Sequence, residues 1–206
     1  MPKKKIATAD STVDVASNIA SAILGFIGDI PSSKQSTSQT PAESARNVAN
    51  SAALKAATAA GTLALPPGPL GWLTILPEML TVWKIQAQMV ADISALYGKT
   101  ATLTQEQILY CLFKHSAAQA VRDLVVRVGE RALVKRASLR VMQSVAQKVG
   151  VKVTQRAIGK GLSRWLPIVG ALGVGAYAYY DTAQVASTAI GLFEHDIDLE
   201  IPSSND

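Results

Sequence analysis

GTLALPPGPLGWLTILPEMLTVWKIQAQMVADISALYG, residues Gly61 to Gly98, is a proline-broken apolar stretch that runs into an amphipathic helix. Pro66, Pro67 and Pro69, with Gly68 and Gly71, cannot continue a helix, because proline has no amide donor, clashes with the preceding turn and restricts the residue before it. The chain must turn there. Pro77 suits a first helical turn, Glu78 complements a helix N-terminus, and Met79, Val82, Trp83, Met89, Val90, Ile93 and Leu96 recur at helical spacing. Gly98 then reads as the C-cap.

Outward toward the N-terminus, Ala42 to Ala60 is rich in alanine and other strong helix formers, the composition of a closely packed helix. Pro31 to Pro41, PSSKQSTSQTP, is polar and bounded by prolines, and reads as a flexible, solvated linker open to proteases. Before it, Lys3, Lys4 and Lys5 precede an apolar run from Val13 to Ile30 that resembles a signal peptide only superficially. Asp10, Asp14, Asn18 and Asp29 interrupt or close the run, and no small-x-small cleavage site follows. Val13, Ala16, Ile19, Ala20, Ile23, Leu24 and Ile27 recur at i, i+3, i+4, which predicts an amphipathic arm that packs on the core or lies on a membrane surface.

Toward the C-terminus, Thr104 and Gln107 form a capping-box pattern, and the apolar stripe from Ile108 to Val128 predicts a further helix. The last apolar segment, Trp165 to Phe193, carries only Asp181 as a charge. A soluble hairpin or central helix is favoured over insertion, since a mid-segment carboxylate is costly in lipid. Tyr177, Tyr179 and Tyr180 are candidate hydroxyl partners for Asp181 or an interfacial aromatic cluster. Ala56 to Pro77 is free of charge and long enough to span a bilayer, but four prolines would leave backbone groups unsatisfied in lipid, so a buried or interfacial turn is expected. With 206 residues, abundant alanine and few aromatics, the chain predicts one all-α, compact multi-helix domain. The organisation is an N-terminal arm at 1–30, a linker at 31–41, a helical domain at 42–193 and a disordered acidic tail at 194–206.

Two blocks carry a family resemblance. The glycines before the apolar turn, the proline-led helix and the Ala-Leu-Tyr-Gly ending at Gly98 resemble the EcsC protein family. LSRWLPIVGALGVGAYAYYDTAQVASTAIGLF, Leu162 to Phe193, resembles that family's Leu-Pro-x-x-Gly-Ala segment and is similar to a C-terminal helical region of some Era-like GTPases. The resemblance spans roughly residues 57–193. It implies an accessory or regulatory role beside an ABC transport system, with no established reaction. Pro66-Pro67-Gly68-Pro69 is richer in proline than the family's turn, and Asp181 stands where many relatives have asparagine.

Charge is the strongest functional signal. The net charge is +5, and between Lys114 and Arg164 twelve Lys or Arg face only two acids, Asp123 and Glu130. Lys148, Lys152, Arg156, Lys160 and Arg164 recur every fourth residue, so on a helix they form a stripe drifting about 40° per step. Arg127, Arg131 and Lys135 repeat the device earlier. Such a stripe is either a solvated face or, with Trp165 and neighbouring apolar residues, an interface for an anionic membrane surface or membrane protein. Nucleic acid is disfavoured, because no reading motif or aromatic platform accompanies the charge. Glu194, Asp196, Asp198, Glu200 and Asp206 could screen the stripe in cis.

Catalytic candidates are few. Cys111 and His115 stand four apart on one expected helix, as a thiolate nucleophile or partial metal site requires, although a lone cysteine ordinarily behaves as a small hydrophobe. Glu78 and Asp92 are fourteen residues apart, too far to act on one bond. No nucleophile elbow, zinc helix or phosphate loop is present, and no cofactor or metal site is expected. The single cysteine excludes an intramolecular disulfide and fits a reducing, cytoplasmic setting at the inner face of a membrane. The expected function is a non-enzymatic, membrane-associated accessory protein. The alternatives are a hydrolase using Cys111 and His115 and a pore-forming or toxin-like helical protein. Oligomeric state stays open.

Overall fold

A computed structural model describes residues 16–26, 28–63, 71–115, 143–144, 146–151 and 167–194, with backbone alone at 63, 71–78 and 167–171. The described chain is all-α. Its helices are α1 (16–26), α2 (Pro41–Leu63), α3 (Gly71–Leu96), α4 (Gln105–Phe113), α5 (146–151) and α6 (Pro167–Glu194), and no described residue lies in a strand.

α2, α3 and α6 form the frame. The ideal Cβ position on Gly175 lies 3.0 Å from the Ala57 carbonyl oxygen, while Arg46 and Asn50 line a groove with Ile190 and Glu194. α2 and α6 are therefore antiparallel, and their alanines and glycines let the backbones close on each other. Gln86 meets Thr182, and Tyr97 lies in the field of Glu194, so α3 runs parallel to α6. α4 closes the core, where Trp83 meets Phe113 edge-on at 5.3 Å, the arrangement favoured by aromatic quadrupoles.

The α1 pattern is realised: Ala16, Ile19, Ala20 and Ile23 are buried, so residues 16–26 pack on the core. α5 fits beside it so closely that a Cβ on Gly150 would collide with the Ala16 carbonyl. Residues 1–15 and the stripe expected at 116–128 lie outside the described residues.

Two boundaries differ from expectation. α2 continues past Gly61 to Leu63, and α3 begins at Gly71, so Pro77 falls inside the helix rather than in its first turn. With no donor at Pro77, the Leu73 carbonyl lacks its i+4 partner there. Of the two forms expected for the C-terminal apolar segment, hairpin or single helix, the structure has the helix: Pro167–Glu194 is continuous and absorbs Gly170, Gly173 and Gly175.

The end of α3 shows sequence logic most completely. Gly98 has φ +71°, in the left-handed region that favours glycine. Its N–H donates to Ala95 O, Lys99 N–H donates to Ser94 O, and Tyr97 N–H donates to Ile93 O. The fourth terminal carbonyl, Leu96 O, accepts from Ser38 N–H, in the segment expected to be a free linker. That segment has no regular structure, yet it is tied down along α3. Ser33 Oγ donates to Asp92 Oδ1 at 2.7 Å, Gln88 Nε2 donates to Ser32 O at 3.0 Å, and Thr37 packs over Gly98. Residues 32–38 are a strap, exposed along most of its length but tied to α3 through Ser32, Ser33 and Ser38. Pro41 then opens α2 in the first-turn position where its missing N–H costs nothing.

The capping box is present as expected. Gln107 N–H donates to Thr104 Oγ1, and Thr104 N–H donates to Gln107 Oε1.

Candidate functional site

Polar chemistry in the core gathers where α3, α4 and α6 meet. Gln86 follows Trp83 by three residues and precedes Val90 by four, so it falls on the buried face of α3 and is fully inaccessible. Asp181 and Thr182 occupy the same level of α6, and His115 follows the last turn of α4. Gln86 Nε2 donates to Asp181 Oδ2 at 2.8 Å and to Thr182 Oγ1 at 3.2 Å. His115 Nε2 lies 2.7 Å from Asp181 Oδ1. An ionised carboxylate only accepts, so Nε2 carries the hydrogen of this bond. Asp181 is thus satisfied on both oxygens, by Gln86 of α3 and by His115 just past α4, which offsets the cost of burying most of a charge.

Two atoms of this cluster, Gln86 Oε1 and His115 Nδ1, are buried without a partner. A histidine oriented through one nitrogen by a carboxylate is the arrangement of many bases and metal ligands. Among the described residues no hydrogen-bond partner reaches that nitrogen. Cys111 is fully buried, and burial pushes its thiol pKa up to about 12, with Lys114 pulling only weakly the other way. A protonated thiol is neither nucleophile nor ligand at neutral pH. Among the described residues no three His, Cys, Asp or Glu side chains converge as a metal site.

Tyr177, Tyr179 and Tyr180 stand on exposed parts of α6, with Tyr180 62% exposed. Asp92, the other acid weighed from sequence, accepts from Ser33 and Gln88 and holds the strap. The side chain of Glu78 lies outside the described residues.

Of the proposed basic stripe, Lys148 is described. It is exposed on α5, opposite the buried Ala146 and Val149, as the amphipathic pattern requires. Lys152, Arg156, Lys160, Arg164 and Trp165 lie outside the described residues, as do Asp196, Asp198, Glu200 and Asp206.

A groove of about 430 Å³ runs between α2 and α6, floored by alanines and bordered by Arg46 and Glu194. Tyr97, whose hydroxyl is buried without a partner, lies in the field of both. Burial and then Glu194 raise its pKa, against a smaller opposing effect of Arg46. Among the described residues no helix is long and apolar enough to cross a membrane. Compared with known proteins, the chain matches no family model, no curated protein and no solved structure. The fold and the clusters above define an all-α helical bundle with a carboxylate-centred polar core.

Proposed function

We propose that this chain is a non-enzymatic accessory or regulatory protein that docks peripherally on an anionic membrane surface at its cytoplasmic face. The link to an ABC transport system rests on the resemblance of residues 57–193 to the EcsC family. The observation that carries the membrane reading is the charge asymmetry: twelve basic residues against two acids between Lys114 and Arg164. Near a negatively charged leaflet each engaged Lys or Arg contributes about 1 kcal/mol, so four or five strengthen partitioning roughly a thousandfold. The protonated, buried Cys111 thiol weighs against the hydrolase alternative.

Vesicle flotation tests this reading. The protein should float with vesicles containing phosphatidylglycerol and not with phosphatidylcholine alone, and salt should weaken the association. Substituting Lys152, Arg156 and Lys160 together by Glu should release it while leaving helical content intact. If the triple variant floats as well as the parent, the stripe is only a solvated face.

A further inference from the structure

The helix directions place three charge-free segments at one end of the bundle. α2 carries no charged residue after Lys55, α3 carries none before Glu78, and α6 carries none from Pro167 to Tyr180. The Gly175 to Ala57 contact and the parallel course of α3 and α6 bring these stretches to the same pole. An exposed helix face in water ordinarily carries charged side chains. Here the outer side of α6 presents Leu172, 70% exposed, with Tyr177 and Tyr180.

The polar groups of this pole are turned inward. Thr58 Oγ1 donates to Leu54 O, and Thr62 Oγ1 donates to Thr58 O, so both hydroxyls are satisfied by their own helix without water. Asp181, the one acid within the α6 run, is held between His115 and Gln86 where the charge-free stretch ends. In the sequence the basic stretch ends at Arg164, three residues before Pro167 opens α6.

We infer that this pole enters one leaflet of an anionic bilayer, with Leu172 below the headgroups and Tyr177 and Tyr180 at their level. This rests on the membrane reading above and names the part of the molecule that inserts. Depth decides between spanning and shallow entry. Seven charge-free residues of α3 before Glu78 measure about 10 Å, and eight of α2 after Lys55 about 12 Å. Both match an interfacial element sunk about 5–10 Å and fall far short of a hydrocarbon core about 30 Å thick. Tyrosine, apolar in body and polar at the tip, belongs at that boundary.

The test places an environment-sensitive dye at position 172 (Leu172→Cys) or, as a control on the other half of α6, at position 187 (Ser187→Cys), both with Cys111→Ala. With phosphatidylglycerol-containing vesicles the dye at 172 should brighten several-fold, be quenched by shallow lipid-borne quenchers and spared by deep ones, while the dye at 187 stays aqueous. Independently, Leu172→Asp should lower vesicle partitioning about tenfold or more, the effect of forfeiting one buried leucine. If the protein floats but the dye at 172 stays aqueous, the membrane reading stands and the inserting pole is wrong. If the protein does not float, both fall. A dye at 172 that is already in apolar surroundings without vesicles, whether in a dimer by sedimentation or in a monomer, overturns the inference, because protein then covers the pole.

Discussion

Replacing Asp181 by Ala removes the acceptor shared by Gln86 and His115, and the structure sets what each loss costs. Gln86 is fully buried, so its amide loses one of two partners with no access to water. His115 is 21% exposed on its side chain and can recruit water in part. A buried donor left without its acceptor costs about 1–3 kcal/mol, so Asp181→Ala should lower stability by about 2–4 kcal/mol. Asp181→Asn should behave differently. Its carbonyl oxygen still accepts from His115 Nε2, and Gln86 can turn its amide so that Oε1, now unpartnered, accepts from the new amide and from the Thr182 hydroxyl. Asparagine should therefore cost within about 1 kcal/mol of the parent. Urea denaturation followed by circular dichroism at about pH 8, where histidine is ordinarily neutral, measures the pair. Equal losses for Ala and Asn, or an Ala variant within about 0.5 kcal/mol of the parent, would refute the reasoning and make the cluster incidental.

Three further outcomes follow from named contacts. Gly98→Val forces a β-branched residue to a φ of +71° against Thr37, and should lower the urea midpoint by the equivalent of about 1 kcal/mol or more. Limited proteolysis should spare residues 32–38 in the parent and cut there once Asp92→Ala removes the acceptor for Ser33 and Gln88; rapid cutting of the parent would show the strap to be free. Cys111 should resist alkylation near neutral pH until the protein unfolds. Because burial raises its folded pKa from 9.0 to about 12, the unfolded chain releases this proton first. Its stabilising contribution is complete below about pH 9 and is lost as pH rises toward 12, by about 1.4 kcal/mol per pH unit. Stability measured from pH 8 to 11 should fall less steeply in Cys111→Ala, and parallel profiles would show that the thiol does not titrate in the fold.

Local signals with a short physical range were legible in the sequence. The Thr104 and Gln107 capping box, the glycine cap at Gly98 and the buried stripe of α1 each follow from spacing within a few residues, and each is present. What failed was the reading of single residues against a helix that neighbours support. Pro77 reads as a start because a proline inside an isolated helix is costly, yet α3 is packed against α2 and α6 and continues through it. The strap failed likewise: PSSKQSTSQTP is polar whether its hydroxyls face water or Asp92, and composition does not distinguish the two. Half of the polar cluster was readable. Asp181 stands alone in an apolar run and Gln86 interrupts an apolar face, each a sign of an internal partner, but nothing in spacing links residues 86, 115 and 181.

The closure of Leu96 O by Ser38 has a consequence for the order in which the chain assembles. Three of the four terminal carbonyls of α3 are satisfied from within four residues of the cap, as soon as Lys99 is made. The fourth waits for a segment synthesised long before, which must stay undocked until α3 exists to receive it. The α2 and α3 pair can thus form first with one frayed end, and docking of the strap is the later step that seals it. Hydrogen exchange at the Ser38 amide reads that step directly. Its protection should appear after that of Ile93 and Val90 during refolding, and in the native protein it should exchange by local opening of the strap while the helix behind it stays closed.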